Sequence, residues 1–322
     1  MRVALPHPGQ YDKEAMQLQI LTWNHDLLDE LLLEAKKDYL ASFEDKICVY
    51  VANPSSSDWI PLATRPKRPI QSIILDSDVQ NMVLEDVQEF MRSKAWYTER
   101  GIPFRRGYLL HGSPGSGKTS LIHSIAGELG LDVFLISLSA RGMDDTKLAE
   151  LIAYLPEQCI TLMEDIDAAF LHGVSRDGVD GVSSPQAQSH SGGATVTLSG
   201  LLNALDGIGA QEGRILFATT NRYAALDPAL CRPGRMDLHV EFRHASRRQA
   251  EELFTRFFNI GTSPPPPAEL EKQLSAEDIN DLAIRFAESI PEHEVSMATL
   301  QGFLMMYKHN PVDAAYEVWA YV

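Results

Sequence analysis

"GYLLHGSPGSGKTSLIHSIAGEL", Gly107 to Leu129, decides the fold. It opens on an apolar run of strand length and closes, from Lys118, on a helical pattern. Between them "GSPGSGKT", Gly112 to Thr119, fits G-x-x-x-x-G-K-[ST]. A glycine-rich turn can match that pattern by chance. A strand before it and a helix after it supply the context of a loop that wraps phosphates. Glycines let backbone N–H groups approach phosphate oxygens, and the helix N-terminus adds the positive end of its dipole. On this reading Gly112, Ser113, Pro114, Gly115, Ser116, Gly117, Lys118, Thr119 and Ser120 bind a nucleotide. Lys118 reaches the β- and γ-phosphates and Thr119 holds Mg²⁺.

Further along, short apolar runs alternate with helical patterns: "DVFLISL", "CITLMED" and "GRILFATT". The alternation predicts an α/β fold, a mostly parallel sheet with helices on both faces. "CITLMED" ends in acids. A nucleotide-hydrolysing site needs a second Mg²⁺ group and a base for water, and Glu164 and Asp165 stand where both are required. Asp167 lies further along the chain and reads as a capping or structural acid. Asn221 closes the next strand, where a carboxamide could hold the attacking water and sense the γ-phosphate. "LDPALCRPGRMD" then holds Arg232 and Arg235 around a Pro-Gly turn. Two arginines on a rigid turn suggest fingers that complete a neighbour's site, an effect worth roughly 10³–10⁵ in rate in GTPases. Such fingers imply a homo-oligomeric ring.

On either side of this core the pattern changes. Residues 17–63 read as a small α/β unit: a strand at "LQILTW", a helix carrying Leu27, Leu28, Leu31, Leu32, Ala35 and Tyr39, and a strand at "KICVYVA". "TRPKRPI" reads as a connector ending near Pro69, with Arg65, Lys67 and Arg68 in solvent. A helical stretch runs from Val79 to Ser93. Residues 172–195, rich in Ser, Gly, Asp and Gln, read as a disordered insertion. Beyond Phe242 the patterns are helical, at "SRRQAEELFTRFF", "SAEDINDLAIRFAES" and "SMATLQGFLMMYKH", with "GTSPPPPAEL" after the first. The expected division is therefore 1–69, a partial N-terminal domain and connector; 70–243, a large nucleotide-binding domain; and 244–322, a small all-helical domain.

The chain of 322 residues carries a net charge of −16. That argues against nucleic acid as a partner, because such binding rests on clustered Lys and Arg. Cys48, Cys159 and Cys231 are far apart and lack metal-ligand spacing, so they read as free thiols. No apolar run approaches the roughly 20 residues of a membrane span. The first residues have no apolar core and read as neither a signal nor a transit peptide. As written, the chain reads as soluble or peripheral. His293-Glu294 has no second His four residues on, which excludes a zinc-protease motif, and no N-K-x-D run suggests guanine.

Together, "GSPGSGKT", "ITLMEDID", "FATTN" and "LDPALCRPGRMD" resemble the AAA ATPases. "WYTERGIPFRRGYLLHG", "EDIDAAF", "LSGLLNALDG" and "LQGFLMMYKHNPVDA" are similar to one subfamily. That is the mitochondrial inner-membrane AAA ATPase that moves the folded Rieske iron–sulfur protein across the membrane during assembly of respiratory complex III. The resemblance implies ATP and Mg²⁺, a ring, a helical lid, a protein client and a place on the matrix side of the inner membrane. Most AAA proteins have Asp then Glu at the strand end, and this subfamily has the reverse. By position Glu164 takes the Mg²⁺ side and Asp165 activates water. Glu is longer by one C–C bond, about 1.5 Å, so the swap requires a shift of the ion, the water or the strand end.

Two departures bear on function. The pore-loop region "SLSARGMDDTKL" has no aromatic residue, which suits passage of a folded client; the alternative makes Met143 a weak gripping residue. The subfamily also carries a transmembrane helix and a targeting segment near its N-terminus, and the sequence here shows neither. A shortened chain and a paralogue without the anchor both stay open. So do two other functions, an AAA protein remodelling another complex and an ATP-binding scaffold without turnover.

Overall fold

Strands Val133–Ile136 (β6), Ile160–Met163 (β7) and Arg214–Thr220 (β8) are buried almost throughout. Such runs need cover on both faces, which a parallel sheet flanked by helices supplies. The computed structural model describes residues 2–3, 16–17, 26–75, 77–170, 196–207, 212–259 and 275–320. Among these, one seven-stranded sheet has the order β4-β3-β6-β7-β8-β5-β9. Its other members are Lys46–Asn53 (β3), Asp58–Pro66 (β4), Arg105–Gly112 (β5) and Leu238–Phe242 (β9). Every pairing is parallel except β3 with β4. Two short segments, Arg2–Val3 (β1) and Met16–Gln17 (β2), pair separately, and helix Asp26–Glu44 (α1) precedes β3.

Side chains alternate across the sheet with the period of two that a strand imposes. Tyr108, Leu110, Ile160, Leu162, Ile215 and Phe217 enter one core, with Val83, Val87 and Phe90 of Ser77–Arg92 (α2) and Leu121, Ile122 and Ile125 of Lys118–Leu129 (α4). Leu109, Met163 and Ala218 enter the other, under Asp145–Ala153 (α5) and Leu198–Asp206 (α7). A polar tie fixes α2 to the sheet: Tyr108 Oη and Arg106 both donate to the Asp86 carboxylate, at 2.6 to 3.0 Å. Short helices Lys94–Glu99 (α3) and Ile166–Phe170 (α6) complete the large domain.

The sheet continues through the boundary expected after residue 69, because β3 pairs with β6 over Val49 to Val51. Tyr50 stacks on Phe134 at 4.7 Å, and Trp59 meets the same ring edge-on at 5.0 Å. Strand β4 departs from the sequence reading, which placed Thr64 to Pro66 in a connector. Pro61 and Pro66 broke the strand signal there. An edge strand tolerates proline because one side of its backbone is unpaired, and β4 is the edge of the sheet. The strand expected at Leu18–Trp23, the insertion 172–195 and the segment 261–270 lie outside the described residues.

After β9, the described residues form four α-helices: Arg247–Asn259 (α8), Ala276–Glu288 (α9), Met297–Met306 (α10) and Pro311–Glu317 (α11). Phe254, Phe286 and Phe303 centre their core. Ser275, Ser296 and Asn310 cap α9, α10 and α11, each accepting a backbone N–H three residues on. Sequence periodicity found three of these helices and missed α11, which is only two turns long. No helix among the described residues is long and apolar enough to cross a membrane.

The arginine-bearing turn lies directly on β5. Asp237 N donates to Gly107 O at 2.7 Å, and Gly107 N donates to Asp237 Oδ2 at 2.9 Å. A Cβ on Gly107 would stand 1.7 Å from Arg235 O. Gly107→Ala must therefore push the turn off the strand. It is expected to cost roughly 3 kcal/mol, the upper part of the usual range for single substitutions, read as a lower midpoint in urea unfolding.

Candidate nucleotide site

The C-terminal edge of the parallel sheet gathers the sequence-predicted groups. In the paired order β7-β8-β5, the acids follow β7, Asn221 follows β8, and the glycine-rich loop follows β5. Non-consecutive strands thus become neighbours, and ligand crevices form at such edges. Gly115 at φ +70° and Gly117 at φ +99° bend the loop through the left-handed region that side chains avoid. Gly117 is the N-cap of α4, so helix N–H groups open towards the cradle.

Lys118 is buried, and its ammonium has three acceptors: Gly112 O at 2.9 Å, Ser113 O at 2.8 Å and Asn221 Oδ1 at 2.9 Å. Burial lowers the Lys118 pKa, while Asp165 and Asp167 oppose that shift. Asn221 faces two ways, since its Nδ2 donates to Asp165 Oδ1 at 3.1 Å. Thr119 Oγ1 donates to Glu164 Oε1 at 2.8 Å. The two acids are thus separated: Glu164 pairs with the Thr119 hydroxyl, and Asp165 with the Asn221 carboxamide. Asp165 has φ +47° and donates its N–H to Thr219 Oγ1 at 3.1 Å. Asp167 is buried and accepts from Thr220 Oγ1 at 2.8 Å, in keeping with the structural part read for it.

A cavity of about 470 Å³ joins these groups, a size typical of small-molecule sites. Pro114 to Ser120, Glu164, Asp165 and Asn221 line it; Gly112 and Ser113 do not, and act through carbonyls that hold Lys118. Periodicity and motif gave no sign of the other walls. Arg68 and Ile73–Ile74 come from the stretch before α2, Leu253 from α8, and Met297, Ala298 and Gln301 from α10. Arg68, read as a solvated linker residue, lies at this cavity and donates to Ser72 Oγ at 2.9 Å. The helical domain touches the loop itself: Ala298 N donates to Gly115 O at 3.1 Å, and a Cβ on Gly115 would meet Ala298 Cβ at 2.9 Å.

These residues fit a nucleotide with Mg²⁺. Apolar walls at Ile73, Ile74, Leu253 and Met297 suit a flat base, and the glycine-bent loop suits phosphates. The Thr119 hydroxyl and Glu164 carboxylate are hard oxygen donors for Mg²⁺, which keeps waters and substrate phosphates as its other ligands. No set of three or more His, Cys, Asp or Glu placed to hold a metal occurs among the described residues, so a cation here depends on those phosphates.

Arg232 and Arg235 do not line this cavity. Arg235 is tied within its own chain, to Asp206 at 2.6 Å and to Ala229 O at 2.6 Å. Arg232 is exposed. Met143 is 1% exposed and packs in the second core, so its side chain grips nothing.

Three family models match in sequence order. "BCS1 N terminal" covers residues 4–73, "ATPase family associated with various cellular activities (AAA)" covers 108–244, and "Mitochondrial chaperone BCS1-like, ATPase lid domain" covers 247–320. The chain is 41% identical to "Probable mitochondrial chaperone BCS1-A" of Dictyostelium discoideum, over 95% of this chain and 67% of that protein. It is 40% identical to "Probable mitochondrial chaperone bcs1" of Schizosaccharomyces pombe, over 94% and 60%. It is 38% identical to human "Mitochondrial chaperone BCS1", over 94% and 66%. The chain spans 60 to 67% of the length of these three relatives.

The split between the acids can be tested. Glu164→Gln is expected to raise the Mg²⁺ concentration needed for turnover. Asp165→Asn is expected to keep nucleotide bound and unhydrolysed at any Mg²⁺ concentration. Rescue of Asp165→Asn by excess Mg²⁺, with none for Glu164→Gln, would reverse the two roles.

Proposed function

This chain belongs to the BCS1 family of AAA ATPases, and from that premise we propose that it binds ATP with Mg²⁺ in the Gly112–Ser120 cradle and hydrolyses it to move a protein client. The observation that carries the reading is the linked set Lys118–Asn221–Asp165 beside Thr119–Glu164. Lys118 exchanges its present acceptors, Asn221 Oδ1 among them, for phosphate oxygens, a stronger, charge-assisted contact. Asn221 then loses its hold on Lys118 and is free to turn, which releases Asp165 Oδ1 to accept a proton from water. Thr119 and Glu164 would hold Mg²⁺, which would supply charge neutralisation at the phosphates. Asp165 is the general base, and Asn221 orients the water.

Arg232 and Arg235 act on a neighbour's nucleotide, in a homo-oligomeric ring. Neither lines its own cavity, which supports that reading. Arg232 is the finger ready to reach across, whereas Arg235 must first leave Asp206. The resemblance to relatives named mitochondrial chaperones supports a place in mitochondria; the matrix side of the inner membrane is the location we propose within them. The client class is a folded protein, with the Rieske iron–sulfur subunit of respiratory complex III as the specific case. The buried Met143, in a loop region without aromatics, supports a folded client over a threaded chain. The proposed parts are 1–69, 70–243 and 244–322.

Two inactive chains test the ring. Lys118→Ala is expected to abolish binding of a fluorescent ATP analogue. Arg232→Ala should bind it normally and hydrolyse ATP at least tenfold more slowly. Mixing Arg232→Ala with Asp165→Asn should restore part of the turnover, because some interfaces then join an intact cradle to an intact arginine. Full wild-type turnover by monomers, independent of protein concentration, would return both arginines to a structural part.

A further inference from the structure

Between the nucleotide cradle and the arginine turn lies a cluster of polar rings that the proposed chemistry does not call on. Asn221 is followed closely by a 3-10 turn, Tyr223–Ala225. Tyr223 is 40% exposed, yet its ring is held on two sides. It lies 4.3 Å from the His111 ring, and 5.6 Å from the His239 ring at an interplanar angle of 67°. His111 immediately precedes Gly112, whose carbonyl holds Lys118. His239 belongs to β9 and is the register partner of Leu109, two residues before His111, so both imidazoles stand on one face of the sheet. Tyr223 thus spans β5, from the end of β8 to β9.

The hydrogen bonds here have a fixed direction. His239 Nε2 is 3.2 Å from Met236 O. A carbonyl only accepts, so Nε2 carries the proton, and Nδ1 of the neutral ring is the acceptor. Tyr223 Oη therefore donates to His239 Nδ1, at 2.8 Å. Met236 closes the arginine turn. Its N–H donates to Arg232 O at 3.2 Å, and Arg235 N donates to the same carbonyl at 3.1 Å. A connected path results, from Asn221 through Tyr223, His239 and Met236 to the two arginines. The arginine turn is also anchored to β5 through Asp237 and Gly107, and to α7 through Arg235 and Asp206. Those anchors hold it on the sheet. The Tyr223–His239 bond ties it instead to the strand end at which the γ-phosphate would be sensed.

We propose that Tyr223 and His239 are positioning residues that couple a chain's own cradle to the arginines it offers its neighbour. This coupling rests on the proposed ring, and on Asn221 turning when phosphate takes Lys118. That turn displaces Tyr223, two residues on. The bond carries the displacement to Met236 O, and the loop bearing Arg232 and Arg235 shifts with it. Tyr223 does not line the cavity, so its effect shows in the neighbour's rate.

Mixed rings of full chains test the coupling. The acceptor chain carries Arg232→Ala, with an intact cradle and no ready finger. The donor chain carries either Asp165→Asn, whose cradle holds ATP without turnover, or Lys118→Ala, whose cradle stays empty. Neither donor hydrolyses, so turnover above that of the acceptor alone reports the donor's arginines. The two donors are expected to differ by about fivefold, the effect of one neutral hydrogen bond. Adding Tyr223→Phe to each donor keeps the ring contacts, removes the bond and should bring the two to one level. A merely structural role for Tyr223 would lower both donors alike and keep their ratio, which would overturn the proposal. Equal support from the two donors with Tyr223 intact would overturn it too. Failure of both such donors to raise acceptor turnover would overturn the ring itself, and this coupling with it. His239→Leu breaks the same bond from the other side, and it decides should Tyr223→Phe donors fail to co-assemble in light scattering.

Discussion

A buried ammonium must be surrounded by oxygen, and at Lys118 that requirement shapes the whole C-terminal edge of the sheet. Taking a charge out of water is costly unless hydrogen bonds replace the lost hydration. The loop answers by turning two carbonyls inward, from Gly112 and Ser113, and the neighbouring strand answers with Asn221 Oδ1. The arrangement demands that β5 and β8 be adjacent and in register from Arg105 to His111, as they are. It also demands backbone turns open only to glycine at 115 and 117. Phosphate oxygens present the same chemistry with more negative charge, so the cradle is already organised around what it would receive.

The reversed order of acids has a structural account in the backbone. Asp165 sits at φ +47°. Asp and Asn visit this left-handed region more readily than longer side chains, because their short polar groups bond locally. The turn there also aims Asp165 Oδ1 at Asn221. Glu164, with one more methylene, reaches the Thr119 hydroxyl on the helix. Of the three adjustments that the swap could require, the strand end carries a visible one: the backbone turns within a single residue, and each acid has the length its partner needs. Asp167 lies further on, buried and bonded to Thr220, so it fixes the start of α6.

Much of this was legible in sequence, and the exceptions have physical causes. The strand–loop–helix pattern at Gly107–Leu129, the buried strands and the acids at 164 and 165 are local signals, so they could be read directly. Adjacency of β5 with β8 is not local, and the sequence reading did not reach it: β8 lies between the acid-bearing β7 and the loop-bearing β5. Strand β4 was hidden because Pro61 and Pro66 veto a central strand but not an edge strand. Arg68, Leu253, Met297 and Gln301 carry no motif, since an apolar or basic residue becomes a cavity wall only through tertiary placement. The bond between Tyr223 and His239 likewise becomes visible only once β8 and β9 lie on either side of β5.

The contact between lid and loop explains why the site has walls from both parts of the chain. Ala298 N, in the first turn of α10, donates to Gly115 O. That N–H is one of the four that a helix leaves unsatisfied at its start. Ser296 caps Thr299 N and leaves Ala298 N for the loop. A single neutral bond of this kind contributes only about 1 kcal/mol net, so it orients the lid without locking it. Gly115 is essential to the approach, because even a methyl group there would strike Ala298. The loop that bends for phosphate is therefore also the loop on which the lid rests. A shift in one backbone carbonyl is felt directly by α10, and through its packing by the Phe254–Phe286–Phe303 core behind it.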